Sequence, residues 1–471
     1  MSEIFIYLAI AYAISGVVLS LTRRMKLADF VAYLVSGFIL GGVLLSWQNY
    51  SAEPGAPPFS REYRISSETL TLLQPYLPDS TSISMISHHR VTNIVGEKPF
   101  LDSLRFYLDV PLSDSLSWQV LKTARQTPAN PATGLITLFA SIGMLLFMMN
   151  LGANFELRML RFNFDSSLLW QTTMMVLINA AIIGSFGFFL LFNGQITPTI
   201  LLLVSLLSIN AGSIIAFRFP IQPGWKRPVS RLLQITAIID VLAITGYAWV
   251  VLLENYRENF LQKISGDVGY WLILMLIAAA FAFTGVTKRL MKPVGLWPAE
   301  LVAFLRISLI LLFIYCGFRI NFPLIVLGLG CGLLLNLLLS SNDLLSKKRF
   351  FSAVIILYPL PFIEVGRSAF MIFQQHISGV WVNAAVLLLG FGAIAAVVGV
   401  FWLSQKLYPV MMALGVFPRG EIATLILWQF WELNLISRSA FASGFVAIVL
   451  SSVIGIIAAR FLMKPESRSS L

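Results

Sequence analysis

Charge is scarce in this chain. Only 33 Lys and Arg and 22 Asp and Glu are spread over 471 residues, 12% in all, about half the usage of an ordinary soluble domain. Histidine and cysteine are scarcer still, at three and two. Cys316 and Cys331 both fall in apolar segments, where they form neither a metal-ligand spacing nor a disulfide framework and read as core thiols. His88 and His89 adjoin, but no further ligand stands at a usable spacing for a metal. The chain also has no P-loop, no nucleotide-binding Gly-rich turn and no His cluster for metal catalysis. An enzyme is therefore not expected, and no cofactor is called for.

Long apolar runs fill the space that charge leaves. Hydrophobic residues make up 58% of the chain and the mean hydropathy is +0.83, which describes an all-α polytopic membrane protein embedded in lipid. Runs long enough to cross about 30 Å of hydrocarbon fall near 3 to 21, 28 to 46, 133 to 152, 166 to 192, 197 to 216, 232 to 253 and 268 to 286. Six more follow near 299 to 317, 322 to 340, 350 to 373, 380 to 403, 408 to 431 and 437 to 461, about thirteen helices in total. The net charge of +11 comes from Lys and Arg in short alternate connections. That pattern is positive-inside topology, and nucleic acid is not an expected partner. It places the N-terminus outside and the C-terminus in the cytoplasm. The first run has its positive charges, Arg23, Arg24 and Lys26, after it and shows no cleavage pattern, so it is expected to be retained rather than removed as a signal.

One connection differs from the rest. Residues 47 to 132 are polar and rich in Pro, Ser and Thr, and the same topology makes them extracytoplasmic. Stretches at 103 to 108 and 115 to 125 read as helical, so a small cap is expected there rather than a bare loop. Such a cap could bind a protein partner.

The few polar groups inside the apolar runs carry the functional signal. Asp240 is a lone carboxylate in the run 232 to 253, about 12 Å along a helix from its basic end at about 1.5 Å per residue. An acid at that depth is costly and marks a functional site by default. Ser208-Ile209-Asn210-Ala211-Gly212-Ser213 interrupts a second run, and Pro418-Arg419-Gly420-Glu421 interrupts a third. Broken helices expose carbonyls and half-helix ends at mid-membrane, where they can hold ions. Thr236, Asp240, Ala243 and Tyr247 share a helical face by their spacing.

In order and spacing these segments resemble the cation:proton antiporter superfamily, in particular its bacterial sodium/proton and potassium-efflux branches. The resemblance covers nearly the whole chain outside 47 to 132. It is carried by Gly37 and Gly41-Gly42, by Ile142-Gly143-Met144-Leu145-Leu146-Phe147 with Gly152, and by the Ser208 to Ser213 break. Ile238-Ile239-Asp240-Val241-Leu242, Pro359-Leu360-Pro361-Phe362 with Gly366, and Pro418-Arg419-Gly420-Glu421 complete it. It implies inverted repeats, two crossing broken helices and a homodimer in the bacterial inner membrane. On that scheme 1 to 46 and 133 to 165 are scaffold, 47 to 132 is the insertion and 166 to 253 is the first core repeat. Residues 254 to 379 are a linker helix and further scaffold, 380 to 461 the second core repeat, and 462 to 471 a short cytoplasmic tail. That tail is too short for a nucleotide-sensing domain. Two positions depart from the family's pattern: Ile239 precedes the key Asp where an oxygen-bearing residue is usual, and 380 to 403 holds no Lys or Arg.

The chemistry expected at such a site follows from its oxygens. Na⁺ and K⁺ are hard cations that shed water only for oxygen ligands. Asp240 is the expected charged ligand, with Ser208, Asn210 and Thr236 as neutral ones. The other reading of the small polar residues is ordinary interhelical hydrogen bonding. A single carboxylate suggests one H⁺ for one Na⁺ or K⁺, an electroneutral exchange. Arg419 either neutralises the carbonyl ends of crossing half-helices or pairs with Asp240 when the ion is absent. Glu421 is either a second titrating group or a partner for a base, and a supporting electrostatic role is favoured for both. Glu364 and Arg367, three apart, are expected to form a structural ion pair, and Arg306 needs a partner such as Glu364. The alternative function is a non-transporting antiporter-fold sensor or assembly component acting through the insertion.

Overall fold

A computed structural model describes residues 2–25, 28–51, 63–66, 84–88, 91–95, 131–154, 166–192, 194–209, 226–255, 308, 311–317, 319, 322–338, 355–373, 377–404, 409–433 and 435–462. Their apolar runs are helical, as they must be where no water is present to satisfy a backbone amide. Helices α1 (Ser2–Met25) and α2 (Asp29–Ser51) form a hairpin. Its turn is closed by Arg23, which donates to the two carboxylate oxygens of Asp29 at 3.3 and 2.9 Å. Then follow α3 (Pro131–Asn154), α4 (Ser166–Ser185), α5 (Ile196–Leu207) and α6 (Lys226–Asn255). Helices α7 (Leu324–Leu338), α8 (Pro359–Phe373) and α9 (Ile377–Ser404) come next. The last three are α10 (Pro409–Val416), α11 (Glu421–Glu432) and α12 (Arg438–Leu462).

Among the described residues five helical segments are long and apolar enough to cross a membrane: Ser166–Leu191, Val229–Leu253, Gly379–Leu403, Val410–Glu432 and Arg438–Ala459. Large apolar side chains on their outer faces, such as Phe189 at 70% and Val400 at 69% exposure, suit contact with lipid and not with water. The chain is a helical membrane protein. Inside the polar insertion lie three short antiparallel strands, β1 (Tyr63–Ser66), β2 (Ser84–His88) and β3 (Val91–Val95), in the order β1-β3-β2. Tyr63 stands opposite Ile94 and Ser84 opposite Val95. The helical stretches expected at 103 to 108 and 115 to 125, the span expected at 268 to 286, Arg306 and Asn210 lie outside the described residues.

Two groups of helices pack separately and then against each other. In the first, α2 crosses α8 at backbone distance. Gly37 faces the main chain of Ile363 and Gly366 faces that of Leu34 and Phe38, so a Cβ on either glycine would strike backbone. Small residues are how membrane helices come this close. Helices α3 and α7 repeat the device with Gly152 and Gly332, and α1 lies against α2. Cys316 and Cys331 are buried free thiols in the apolar cluster beside α3 and α7. The second group contains α4 to α6 and α9 to α12, with α9 beside α4 and α11 against α5. Each half of this group runs from a long helix through a short or interrupted one to another long helix. The groups meet where α8 touches α11 and α12, α2 touches α12, and α6 touches α7.

Helix α4 ends in a widened turn. After Ser185 it continues as a π-helix over Phe186–Leu191, in which the Phe192 amide donates to the Gly187 carbonyl at 2.9 Å. Gly194 then takes φ +86°, a left-handed conformation that only glycine adopts without strain. The chain thereby reverses into α5.

Candidate functional site

Helix α5 stops after twelve residues. Its C-cap, Ser208, is extended at φ −61° and ψ 137°, which leaves the last carbonyls of the helix without partners from its own backbone. A matching interruption separates α10 from α11, where Phe417, Pro418, Arg419 and Gly420 form no helix and Gly420 is extended at φ −119° and ψ −160°. Proline at 418 cannot donate a helical hydrogen bond, so a break there is expected on sequence grounds.

Interrupted backbone inside a membrane has to find partners elsewhere. Two serines on α12 supply them: the Arg419 amide donates to Ser451 Oγ at 3.2 Å, and Ser452 Oγ donates to the Arg419 carbonyl at 2.9 Å. The carbonyl end of α5 is met by the Arg419 guanidinium, whose Nη1 donates to the Leu207 and Ser208 carbonyls, each at 3.5 Å. A cation at a helix C-terminus opposes the partial negative charge there. Arg419 is fully buried, its guanidinium carbon lies 4.6 Å from the centre of the Phe391 ring on α9, and Nη2 donates to Asn179 Oδ1 at 2.9 Å. Among the described residues no ion pair joins it to a carboxylate.

Asp240 stands on the other side of Ser208. Ser208 Oγ donates to Asp240 Oδ1 at 2.6 Å, and the Ile209 amide is a further hydrogen-bond donor to the same carboxylate. Asp240 is half-buried. Arg419 and Glu421 act on it electrostatically with opposite signs, and Arg419 forms no direct ion pair with it. Glu421 opens α11, where an acidic side chain suits the positive end of the helix dipole.

Of the neutral oxygens expected around Asp240, Ser208 is brought to it. Thr236 lies one turn away on the same buried face, but its hydroxyl donates to the Leu233 carbonyl at 3.1 Å. Tyr247, further along that face, donates to Gln429 Oε1 on α11 at 3.3 Å. Ile239 is fully buried in the apolar core and brings no oxygen.

Asn179, Ser451, Ser452 and Phe391 were not singled out by sequence. Asn179 had a signal: it is the one amide in the apolar stretch from Met174 to Phe192. The serines and Phe391 had none, because a small hydroxyl or an aromatic ring in an apolar run is ordinary.

A further pair of charges lies on α8. Arg367 Nε donates to Glu364 Oε2 at 2.9 Å and Arg367 Nη2 pairs with Glu364 Oε1. Tyr7 on α1 donates to Glu364 Oε2 at 3.5 Å. This pair is bidentate and local, and it belongs to the first helix group.

Chemically, the site offers one carboxylate, one hydroxyl with lone pairs to spare and the adjoining ends of α5 and α11. Such a set can take up a proton or a small hard cation. The chain matches no protein-family model and no curated protein.

Proposed function

We propose that the chain is a secondary antiporter that exchanges Na⁺ or K⁺ for H⁺ by alternating access, with Asp240 as the shared binding group. The observation that carries this reading is the Ser208–Asp240 contact at 2.6 Å, made where α5 ends inside the membrane. A bare carboxylate is expensive in that setting. A proton neutralises it in one state and a monovalent cation in the other, so each crosses as a neutral complex and a one-for-one exchange carries no net charge.

The wider proposal takes about thirteen spans, two inverted repeats and a homodimer in a bacterial inner membrane, with the N-terminus outside and the C-terminus in the cytoplasm. It is supported by the long, interrupted, long order in each half of the second helix group and by that group's separate packing against α2, α7 and α8. The cation:proton antiporter resemblance belongs to the same proposal. Movement would be a shift of α4–α6 and α9–α12 against the glycine-packed first group.

The test is dissipation of a pH gradient in proteoliposomes on addition of Na⁺, K⁺ or Li⁺, with membrane voltage clamped. Exchange that disappears in Asp240→Asn, and is indifferent to voltage in the wild type, is the expected result. Folded wild-type protein with no cation response between about pH 6 and 9 would sink the reading and turn attention to the insertion as a binding element.

A further inference from the structure

Arg419 poses a question that the antiport reading leaves open. A buried guanidinium beside a carboxylate ordinarily pairs with it, because a charge-assisted bidentate bond is stronger than bonds to neutral oxygens. Here the two groups hold opposite ends of one residue: Arg419 Nη1 reaches the Ser208 carbonyl at 3.5 Å, and Asp240 accepts from the Ser208 hydroxyl at 2.6 Å. Yet they form no ion pair. Something keeps the cation on its own side.

The contacts of Arg419 identify what holds it. The two carbonyl bonds are long at 3.5 Å, and Nε has no hydrogen-bond partner among the described residues. The short bond is the one to Asn179 Oδ1 at 2.9 Å. Asn179 is itself fully buried, and its Nδ2 donates to the Met175 carbonyl one turn back at 2.8 Å. This second bond settles the orientation of the amide. A carbonyl can only accept and a guanidinium can only donate, so the nitrogen must face Met175 and the oxygen must face Arg419. Being neutral, the amide anchors the guanidinium without cancelling its charge.

We propose that Asn179 is a positioning residue that withholds Arg419 from Asp240 and so keeps the carboxylate available to proton and cation. The consequence for transport rests on the antiport reading, whereas the placement of Arg419 does not. In Asn179→Leu the guanidinium loses its short bond and moves onto Asp240. In Asn179→Asp it is held more firmly and its charge is compensated.

The two variants therefore part at Asp240, one lowering its labelling and the other not, which general damage to the fold would not do. The experiment labels purified full-length protein in detergent with dicyclohexylcarbodiimide, which attacks protonated carboxyl groups in apolar surroundings, and reads the Asp240 peptide by mass spectrometry. Labelling should fall at least several-fold in Asn179→Leu and equal or exceed wild type in Asn179→Asp. In proteoliposomes, Asn179→Leu should raise the KM for the cation on the order of tenfold, the scale of one hydrogen bond to a charged group. Equal labelling in all three proteins, a fall in both variants, or no labelling of Asp240 in the wild type would each overturn the inference. Labelling that responds as expected while no cation dissipates the gradient sinks the antiport reading and leaves the inference standing. Exchange in the wild type with labelling indifferent to Asn179 does the reverse.

Discussion

Among the described residues, Arg419 is fully buried and Arg367 largely so, and the molecule treats them differently. Arg367 has a carboxylate three residues away on its own helix and binds it through two nitrogens. Arg419 lies at a break and is met by two backbone carbonyls, an amide oxygen and the face of a phenylalanine. The first arrangement closes on itself: neither charge has anything left to offer a passing ion. The second leaves Asp240 without an ion pair among the described residues although a cation is close enough to affect it. On the proposed function, a carboxylate that exchanges ligands needs Arg419 to be occupied elsewhere, and the contacts of Arg419 with the end of α5 and with Asn179 provide that.

The largest effect that separates the two regions is on stability. Arg367→Leu strands Glu364, whose side chain is only 3% exposed, and removing one partner of a buried pair costs about 3–5 kcal/mol. Arg367→Leu should therefore strongly lower the midpoint of thermal unfolding in detergent. The double variant Glu364→Leu/Arg367→Leu should recover most of that loss and retain cation exchange. If the double variant stays as unstable as the single one, or folds well and no longer exchanges, α8 is more than a structural strut.

Arg419→Leu should cost less in stability and more in function. It strands neutral oxygens and no carboxylate, a penalty of about 1–3 kcal/mol, so the protein should still fold. Exchange should be lost because the C-terminal end of α5 no longer has a cation opposing it beside Asp240. A loss of stability equal to that of Arg367→Leu would mean that the two arginines are held alike after all and would remove the contrast.

How far these two regions could be read from sequence follows from the cost of what each contains. Asp240, the Ser208 segment and Pro418-Arg419-Gly420-Glu421 stand out because lipid penalises charge, proline and glycine within an apolar run. The Glu364–Arg367 pair is legible because three residues is one helical turn. The Asn179–Arg419 bond spans 240 positions, and no spacing rule connects residues that only tertiary packing brings together. Thr236 shows the reverse limit. Periodicity places it on the buried face of Asp240, but it cannot reveal that the hydroxyl donates to the Leu233 carbonyl rather than to the carboxylate. In the insertion, strands of four or five residues offer too few alternations for a period of two to be recognised.

The smallest effects distinguish the hydroxyls on either side of Asp240. Ser208 Oγ is bonded to the carboxylate, and Ser208→Ala removes one hydrogen bond to a charged group, a cost of about 1.5 kcal/mol that should raise the KM for the transported cation on the order of tenfold. Thr236 donates to its own helix instead. Thr236→Val keeps the shape and the burial and should change that KM by less than about twofold. The pair tests geometry against pattern, since both residues flank Asp240 and both carry a hydroxyl. If the two variants impair exchange equally, the cation draws on the whole face of α6. If only Ser208→Ala does, the ion is bound at the end of α5, where a broken helix and a single carboxylate meet.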